Sequence, residues 1–459
     1  MRLKADDCAA VVLAAGQGTR MKSRLPKVLH RVAGRPMIHH VLEAVAALGP
    51  AKVVAVVGHE AEQVRAVLGP DLDLVEQAQQ LGTGHAVLQT RPLLEGKVKH
   101  VLVTYGDMPL LQSGTLQRLV NHHLEKAGCI TILTCLADDP TGYGRVLRNG
   151  RGRVLQVVEE AEASPEQRAI AEVNAGVGCY AADWLWPHLS QIRLNARGEY
   201  YLTDLPEMAA AESLSVETVS IDNMAEVAGI NDRVQLAEAE AVLRERVRER
   251  LMLSGVTIID PRSTFIDTSV WVGSDTVIYP NTFLEGSTVI GPGCEVGPFS
   301  RLVNSRLGEG AKVVASFLEE AEVGDRASVG PFSHLRPGTR LAADVYVGNF
   351  AEMKNSTVDS GSHVHHFSYL GDATLGRDVN IGAGTITCNF SSETQVKSRT
   401  TVEDGAAIGS DTMLVAPVKV GKGAITGSGS VVTRDVPPET VAYGVPAREV
   451  RPVRKRSRS

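Results

Sequence analysis

The second half of the chain carries a small or apolar residue at every sixth position. A helix cannot place residues of this spacing on one side. Six residues advance the helix by about 240° beyond a full turn, so successive repeat residues point in different directions. Short strands joined by tight turns can carry it, with each repeat residue pointing inward. Such a hexapeptide repeat predicts a parallel β-helix whose neighbouring coils bury each other's apolar sides. If three sides make a coil, the region winds roughly nine coils. The repeat positions are Val272, Ile278, Leu284, Ile290, Val296, Leu302, Val323, Val329, Leu335, Leu341, Val347, Met353, Val396, Val402, Ile408, Leu414, Val420, Thr426 and Val432.

The repeat is irregular in two respects. Its spacing falls to five residues near Leu307, Leu318 and Leu375, which predicts local irregularity of the coils. It disappears between Thr387 and Gln395. We expect a loop that projects from the coil over these residues.

The first half of the chain alternates short apolar runs with amphipathic segments. This alternation predicts an α/β domain with a mostly parallel sheet covered by helices. Ligands bind beyond the carboxyl ends of the strands in such sheets, and Gly16 and Asp107 both fall there. The predicted elements are a strand at Ala9–Ala15, a helix opened by Pro36 with Met37, Val41, Leu42 and Val45 on one face, a strand at Val53–Val57, a helix at Ala61–Leu68, a strand near Leu72–Glu76, a helix at His85–Leu94 and a strand at His100–Tyr105.

A long charged helix is predicted between the two halves, where Asn231 or Asp232 can cap its start. We therefore predict an α/β domain over residues 1–230, a helical linker over 231–254, and a β-helix domain with a C-terminal tail over 255–459. The basic tail, Arg451–Ser459, is expected to be a solvated, mobile end.

Composition narrows the class of protein. A hydrophobic content of 43% and a charged content of 22% are typical of a soluble globular protein. The net charge of −6 gives no general reason to expect nucleic-acid binding. The six cysteines are widely spread without a C-x-x-C pair, which favours reduced thiols in the cytoplasm over disulfides or zinc. No secretory signal and no apolar run long enough to cross a bilayer is seen.

The loop after the first strand, Leu13–Met21, is suited to phosphate. It is not a P-loop, and Met21 stands where a dinucleotide fingerprint has its third glycine. Its glycines let backbone N–H groups approach phosphate oxygens, and Arg20 adds charged donors. Lys27 follows seven residues later as a second cation.

The segments LAAGQGTRM and LPKVLH are similar to the signature of the sugar-phosphate nucleotidyltransferases. With the hexapeptide repeat, nearly the whole chain resembles the family of bacterial bifunctional N-acetylglucosamine-1-phosphate uridyltransferases/glucosamine-1-phosphate N-acetyltransferases. The resemblance implies a Rossmann-like nucleotidyltransferase domain followed by a left-handed parallel β-helix. The further matching segments are QLGTGHA at Gln80–Ala86, YGDMPLL at Tyr105–Leu111, PTGYGRV at Pro140–Val146, VVEE at Val157–Glu160, EVNAG at Glu172–Gly176 and GIND at Gly229–Asp232.

The resemblance implies uridylyl transfer from UTP in the first domain, where positioning and electrostatics do most of the catalysis. Taken singly, Asp107 could be only a turn residue, Glu159 a solvated acid and Asn231 a helix cap. The implied roles are phosphate and leaving-group stabilisation by Arg20 and Lys27, Mg²⁺ binding by Asp107 and Asn231, uracil contacts from Gln77, Gly82 and Thr83, sugar and acetamide contacts from Tyr105, Gly144, Glu159 and Asn174, and further nucleotide or sugar contacts from Leu13, Ala14, Ala15, Gly16 and Gly106.

Charged residues in the β-helix exceed what a scaffold needs. Histidines 363, 365 and 366 suggest a metal, but on a strand the first two face one way and His366 the other, without an evident fourth ligand. Imidazole is instead the natural base for amine acetylation near pH 7.

By the resemblance, the β-helix acetylates glucosamine 1-phosphate with acetyl-CoA. Standing alone, Arg336 and Lys354 would be read as ordinary surface charge. The implied roles are His366 as the base, with Glu352 orienting it or the amine, Arg336, Lys354 and Tyr369 on the sugar phosphate, Asn380 and Asn389 on the sugar, and Ala383, Ser410 and Ser428 on acetyl-CoA, with a backbone N–H near Ala383 at the oxyanion.

Two departures from the family matter. Phe390 stands where the family often has Tyr, which removes a phenolic hydrogen bond to the substrate. Other branches place an Arg at about Val445, and Arg448 is the available substitute against a CoA phosphate.

The family also implies a homotrimer whose acetyltransferase sites draw on neighbouring subunits, and a product that is a precursor of cell-envelope polysaccharide. One alternative is a single-activity sugar-phosphate nucleotidyltransferase whose β-helix serves assembly or regulation. It has no need of His366, Arg336, Lys354 and Asn389. Another alternative is an inactive binding protein. The presence of Asp107 and of the two cations Arg20 and Lys27 argues against it.

Overall fold

The structure is a computed structural model that describes residues 7–452. The chain divides between Leu243 and Arg244 into two compact units, each described here by itself. The part of the predicted basic tail beyond Pro452 lies outside the described residues, whereas Arg451 and Pro452 belong to the strand Ala447–Pro452. In the part of the chain that is described, every helix is too short or too polar to cross a lipid bilayer.

The first unit is built on a nine-stranded sheet, and the prediction of a mostly parallel sheet is confirmed. Glu172–Ala181 runs antiparallel to its three neighbours in the sheet, His100–Tyr105, Ile130–Leu136 and Gly144–Arg148. A separate two-stranded ribbon pairs Arg31–Val32 with Arg35–Pro36. In spatial order the main strands are Val216–Ile221, Ile130–Leu136, Glu172–Ala181, His100–Tyr105, Cys8–Ala14, Lys52–Val57 and Asp73–Glu76, with the hairpin Gly144–Arg148 and Val154–Val158 joined to Glu172–Ala181.

The first strand is covered on both faces. Ala10, Val12 and Ala14 pack into one apolar cluster, while Val11 and Leu13 pack into a second. A strand buried on both sides needs apolar residues at every position, which is why it appears in the sequence as a continuous apolar run.

Helices flank this sheet, and one predicted helix is wrong. The segment predicted as one helix at His85–Leu94 forms two helices, broken at Gln89 and Thr90. Pro92 lacks the N–H for an i→i−4 bond, and its ring would clash with the carbonyl of Leu88. The helices that lie within the first unit are Met37–Ala46, Ala61–Leu68, Thr83–Leu88, Arg91–Leu94, Ser113–Lys126, Pro165–Arg168, Ala182–Leu189 and Leu205–Ala211, with 3-10 turns at Thr19–Met21, Lys27–Leu29, Leu202–Asp204 and Met224–Val227. The helix Arg233–Leu253 crosses the boundary, and the 3-10 turn Pro261–Ser263 belongs to the second unit.

A pair of histidines, one of them buried, links one of these helices to the sheet. His123 is fully buried and contacts His100 at 3.1 Å and the hydroxyl of Thr131 at 2.9 Å. Burial, with the neighbouring histidines, lowers the pKa of His123 to about 4. The imidazole is therefore neutral in the folded protein at pH 5, where an unfolded chain protonates it.

We expect this pair to make the protein less stable in mild acid. Because the folded pKa is depressed below about 6.5, the unfolded state binds protons first, and stability falls as pH drops from about 6.5 towards 4. Between pH 7 and pH 5 the free energy of unfolding should fall by roughly 2 kcal/mol more in the wild type than in His123→Gln. Denaturant unfolding at the two pH values measures this. The exposed His59→Gln serves as the control, and an equal fall in all three proteins would refute the expectation.

The second unit is a parallel β-helix, as the hexapeptide repeat predicts, and it has three faces. Successive strands of the chain pass from face to face, and each pairs in parallel with the strand one coil later. The exception is the final pair, since Ala447–Pro452 runs antiparallel to Thr440–Gly444. The second face contains ten strands, against the roughly nine coils predicted. The first face comprises Thr257–Ile258, Val277–Ile278, Glu295–Val296, Lys312–Val313, Ser328–Val329, Tyr346–Val347, His363–Val364, Asn380–Ile381, Ala407–Ile408, Ile425–Thr426, Thr440–Gly444 and Ala447–Pro452. The second comprises Phe265–Ile266, Phe283–Glu285, Arg301–Val303, Phe317–Glu319, His334–Leu335, Glu352–Lys354, Tyr369–Gly371, Ile386–Cys388, Met413–Val415 and Val431–Val432. The third comprises Trp271–Val272, Val289–Ile290, Arg306–Leu307, Glu322–Val323, Arg340–Leu341, Thr357–Val358, Ala373–Leu375, Thr400–Val402 and Val418–Val420.

The repeat residues form the core of this unit, with one exception. From Val272 to Met353 and from Val402 to Val432 they are buried. Val396 is wrong as a repeat position, since it is 55% exposed. The loop predicted over Thr387–Gln395 exists, but it begins after the strand Ile386–Cys388 and continues beyond Val396 to the strand Thr400–Val402. The insertion shows in the pairing, because Ala373 pairs with Thr400, whereas one coil earlier Thr357 pairs with Thr374.

The helix Arg233–Leu253 spans the boundary of the two units. Asp232 caps it, because its carboxylate accepts hydrogen bonds from the backbone N–H groups of Val234 and Gln235, each at 2.9 Å. Asn231 is therefore not needed as the cap. The predicted domain boundaries, with this helix as a separate linker, stay a prediction.

Candidate functional sites

A cavity of about 530 Å³ opens at the carboxyl ends of the central strands in the first unit. Ten of the residues predicted for nucleotide or sugar binding line it, together with six that the sequence reasoning did not assign. The predicted residues are Leu13, Ala14, Ala15, Gly16, Lys27, Gln77, Gly82, Thr83, Tyr105 and Asp107, and the additional ones are Gln17, Val28, Gln80, Ala86, Glu199 and Tyr201.

Strand register brings these segments together. Leu13 pairs with Tyr105, and the N–H of Gly106 donates to the carbonyl of Leu13 at 2.8 Å. The phosphate loop therefore begins beside Asp107. Gly82 sits at φ +94°, and a Cβ there would lie 2.7 Å from the carbonyl oxygen of Tyr200, so this wall admits only glycine.

A cationic centre lies at one end of the cavity. The Lys27 ammonium donates to Asp107 Oδ2 and, at 3.1 Å, to Asn231 Oδ1. The side chains of Lys27 and Asp107 are only 14% and 16% exposed. The N–H of Ile230 donates to the Asp107 carbonyl at 3.0 Å, which fixes Asn231 beside the carboxylate. Two oxygens from distant parts of the chain thus converge on one positive charge.

The residues predicted for uracil shape the opposite wall. Gln77 is buried, and its amide donates to the carbonyl of Gly82 at 3.0 Å and contacts His85 Nδ1 at 3.0 Å. The hydroxyl of Thr83 accepts the N–H of Leu202 at 3.0 Å. These bonds hold the wall in shape.

The residues predicted for the sugar surround an adjoining narrow cleft. Asn174, Tyr105 and Thr203 line it, Asn174 pairs with Gly144, and Thr203 donates to Glu159 at 2.8 Å. Burial raises the pKa of Glu159, although the Thr203 hydrogen bond opposes the shift. Burial, with the charges of Glu159 and Asp107, also raises the pKa of Tyr105, whose phenol therefore stays neutral where the two cavities meet.

Some positions were missed by sequence reasoning or lie apart from the cavity. Arg20 is exposed in its 3-10 turn and does not line the cavity, so its role stays a prediction. Glu199 and Tyr201 belong to an irregular segment that carries no periodic pattern. Gln17 and Gln80 lie inside recognised motifs, and their side chains bond each other at 2.9 Å. The motifs were the only signal that could have found them.

The second group of predicted residues gathers at the corner between the first and second faces of the β-helix. Four of them belong to a stack of six residues on successive coils, which we call the corner column. Backbone hydrogen bonds join its levels: the N–H of Gly384 donates to the carbonyl of His366 at 3.1 Å, and that of Gly429 to Ser410 at 2.7 Å. The column consists of Pro331, Asn349, His366, Ala383, Ser410 and Ser428.

His366 is exposed at this corner, and its Nδ1 contacts Asn349 Oδ1. Glu352, which the sequence suggested as its partner, instead accepts a hydrogen bond from Arg336 at 2.7 Å. His365 contacts Asn380 at 3.2 Å on the first face. The structure thus gives His366 an amide partner that sequence reasoning missed.

The predicted sugar-phosphate residues share the second face. Tyr369 pairs directly with Glu352, and Lys354 with Gly371. A Cβ on Gly371 would lie 2.5 Å from the Tyr369 hydroxyl and 2.7 Å from the Asn389 amide, so glycine lets both side chains approach here. Asn380 lies across the corner, on the first face.

Asp372 anchors the projecting loop. Its carboxylate accepts hydrogen bonds from the amides of Asn389 and Asn355, both at 2.5 Å. Burial would raise the pKa of Asp372, but these bonds and the charges of Lys397 and Arg399 lower it instead. Phe390, the next residue, is exposed.

The chain is similar to known proteins along most of its length. The family described as the MobA-like NTP transferase domain matches residues 10–184. A curated protein named "Bifunctional protein GlmU" from Heliobacterium modesticaldum is 51% identical over 434 residues, which cover 94% of each chain. Proteins of the same name from Carboxydothermus hydrogenoformans and Pelotomaculum thermopropionicum are 48% and 54% identical, over 94% and 90% of this chain and 96% and 90% of their own.

Proposed function

The chain belongs to the family of bifunctional GlmU proteins, and we propose that its two units divide the two reactions of that family between them. It is a bifunctional enzyme of UDP-N-acetylglucosamine synthesis. One reaction moves an acetyl group from acetyl-CoA to glucosamine 1-phosphate. The other joins N-acetylglucosamine 1-phosphate to the uridylyl group of UTP and releases pyrophosphate. The supporting observation is that the two groups of predicted residues assemble separately, one group within residues 13–231 and the other within 336–428.

Uridylyl transfer is assigned to the first unit. The sugar phosphate oxygen attacks the α-phosphorus of UTP, so negative charge accumulates on the phosphates and on the departing pyrophosphate. The Lys27 ammonium is held at the cavity wall, where it can stabilise that charge. Gln77, Gly82 and Thr83 supply the shaped wall for the base. Gly144, Glu159 and Asn174 supply the polar cleft for the sugar.

A divalent cation fits this unit. Asp107 and Asn231 present hard oxygen donors that already share one positive charge, and two protein ligands suffice where phosphates and water complete the shell. Mg²⁺ would be held by these two residues, and when bound it neutralises phosphate oxygens as a Lewis acid.

Acetyl transfer is assigned to the corner column and the second face. His366 is solvent-accessible, as a base must be to reach an amine. Arg336, Lys354 and Tyr369 lie together where they can hold a sugar phosphate, and Asp372 positions Asn389 beside them. Ala383, Ser410 and Ser428 extend from His366 along the column as a track for acetyl-CoA. The N–H of Ala383 has no hydrogen-bond partner among residues 7–452, so it is free to bind an oxyanion.

We infer a homotrimer from the family resemblance, and an exposed aromatic stack beside the corner column offers a surface for its subunit contacts. Phe332, Phe350 and Phe367 follow Pro331, Asn349 and His366 and stack at centroid distances of 5.4 and 5.1 Å. All three rings are about half exposed or more. A continuous apolar stripe beside a reactive histidine is typical of a surface that a second subunit covers.

Replacing Phe332 with aspartate should weaken that assembly, because a carboxylate would be buried against apolar rings. We expect smaller particles by light scattering and loss of most acetyl transfer, with uridylyl transfer retained. Trp271→Asp, on the third face, is the matched control. A trimer that persists in Phe332→Asp, or that is lost in Trp271→Asp, would place the interface elsewhere.

The decisive assay offers purified protein glucosamine 1-phosphate, acetyl-CoA, UTP and Mg²⁺, omitting each in turn. CoA release should need only the amino sugar phosphate and acetyl-CoA. Pyrophosphate release should need all four. CoA release without the sugar phosphate, or pyrophosphate release without acetyl-CoA, would overturn the assignment of substrates.

We place the reactions in the cytoplasm, where reduced thiols agree with six free cysteines. The product would feed peptidoglycan synthesis and so cell-wall formation and cell shape.

A further inference from the structure

Asn349 contacts the reactive histidine from the coil below. The amide oxygen Oδ1 of Asn349 accepts the hydrogen bond from His366 Nδ1–H. The other ring nitrogen, Nε2, has no hydrogen-bond partner among the residues described. One nitrogen is thus committed to the protein, and the other is open to a ligand.

This contact selects a tautomer. A neutral imidazole carries one N–H, and an amide oxygen can only accept a hydrogen bond. With the proton on Nδ1, the lone pair is on Nε2, which is the form needed in a general base. Because the amide is uncharged, it directs the ring without adding a negative charge beside it.

The backbone holds Asn349 under His366. The N–H of Phe367 donates to the Asn349 carbonyl at 3.2 Å, and the rings of Phe350 and Phe367 stack at 5.1 Å. Gly348 permits the approach, since a Cβ there would lie 1.8 Å from the carbonyl oxygen of His365. The amide is therefore placed by two adjoining coils.

The β-helix itself does not require an amide at this level. The equivalent residue one coil below is Pro331, and one coil above His366 it is Ala383. Neither side chain can accept a hydrogen bond. The acceptor Asn349 lies in the column directly beneath His366, where its amide oxygen bonds the imidazole ring.

Other nearby groups are engaged elsewhere. Glu352 is bound to Arg336. The ring of His365 lies 5.7 Å from that of His366 but contacts Asn380, and Tyr346 and His363 lie beyond it. His365 is thus the titratable side chain whose ring packs against that of His366. Its own orientation is fixed by its contact with Asn380 on the first face.

We propose that Asn349 is a positioning residue for acetyl transfer, fixing His366 with Nε2 as the proton acceptor. This rests on the acetyltransferase function proposed above. The amine nitrogen of the sugar attacks the thioester carbonyl carbon, and a C–N bond forms as the amine proton passes to Nε2. Collapse of the tetrahedral adduct breaks the C–S bond, and the CoA thiolate takes the proton back from the imidazolium.

The test compares the acetyl-transfer pH profiles of wild type, Asn349→Leu and Asn349→Asp, with uridylyl transfer measured in each. For Asn349→Leu we expect kcat to fall by about 10- to 100-fold, as when the hydrogen-bond partner of a functional histidine is lost, while both KM values stay within about twofold. Asn349→Asp keeps a hydrogen-bond acceptor beside the His366 ring. Unlike Asn349→Leu, it should therefore regain acetyl-transfer activity at high pH. Its carboxylate stabilises the imidazolium, so the acidic limb should move up by about one pH unit or more.

Two results would overturn the proposal: an unchanged kcat in Asn349→Leu, or an unmoved acidic limb in Asn349→Asp. Equal thermal unfolding of the three proteins excludes a general structural effect. If the unfolding temperatures do differ, the shift of the acidic limb of the pH profile in Asn349→Asp becomes the deciding measurement. A loss of stability lowers the amount of active protein but does not shift that limb along the pH axis. Should His366→Ala keep acetyl transfer, the proposed function itself has failed. Should His366→Ala lose it while Asn349→Leu keeps it, only the role of Asn349 has failed.

Discussion

His366→Ala should lower acetyl transfer by about 10²- to 10⁴-fold, the usual contribution of a positioned general base, and leave uridylyl transfer unchanged. The side chain is exposed and lies at a corner, so its removal opens no core cavity. Its neighbours in the column are held by backbone hydrogen bonds that do not involve the imidazole. Release of CoA, followed with a thiol reagent, and release of pyrophosphate measure the two reactions in one preparation.

The matched control for this variant is His363→Ala. His363 is exposed on the first face, and its ring stacks against His365 at 5.5 Å rather than on His366. It should keep acetyl transfer. If His366→Ala abolished both reactions in folded protein, separate sites could not be maintained.

Asp107→Ala should have the opposite effect, lowering uridylyl transfer by roughly 10²- to 10³-fold, as loss of one charge-stabilising group does, and sparing acetyl transfer. The substitution removes one of two oxygens proposed to hold the cation. It also leaves Lys27 with Asn231 as its remaining partner here. Uridylyl transfer should then need far more Mg²⁺, and binding of Mn²⁺ followed by electron paramagnetic resonance should weaken in parallel.

The control for this second variant is Asp71→Ala, an exposed carboxylate outside the cavity lining. It should match the wild type in both assays. Unchanged Mn²⁺ binding in Asp107→Ala would remove Asp107 from the cation site, whatever its effect on the rate.

The Lys27 ammonium organises the proposed cation site before substrate binds. One ammonium joins Asp107 and Asn231, two residues more than one hundred positions apart in the chain. The two acceptor oxygens are thus drawn together before any nucleotide arrives. Preorganisation of this kind reduces the rearrangement needed when charge develops on the phosphates.

Periodicity fixed the parts of this protein that depend on local geometry. The six-residue spacing predicts flat sides with one inward residue each, because this arrangement buries the repeat residues together, and the structure shows three such sides to a coil. The continuous apolar run at the first strand predicts burial on both faces, which the two clusters around Val11 and Val12 confirm. The break near Thr90 was also present in the sequence, since Pro92 cannot continue a helix, but the apolar pattern masked it.

Contacts between distant segments could be decided only by the tertiary structure. The coil spacing places Asn349 one level below His366, but no local pattern shows that the ring bonds Asn349 and not Glu352. Nor does one distinguish Asp232 as the cap from Asn231 as a partner of Lys27. Glu199 and Tyr201 reach the cavity from a segment without period. A side-chain pattern records which face of an element is buried, whereas a site depends on which elements meet and at what register. Register in turn depends on the packing of the whole unit.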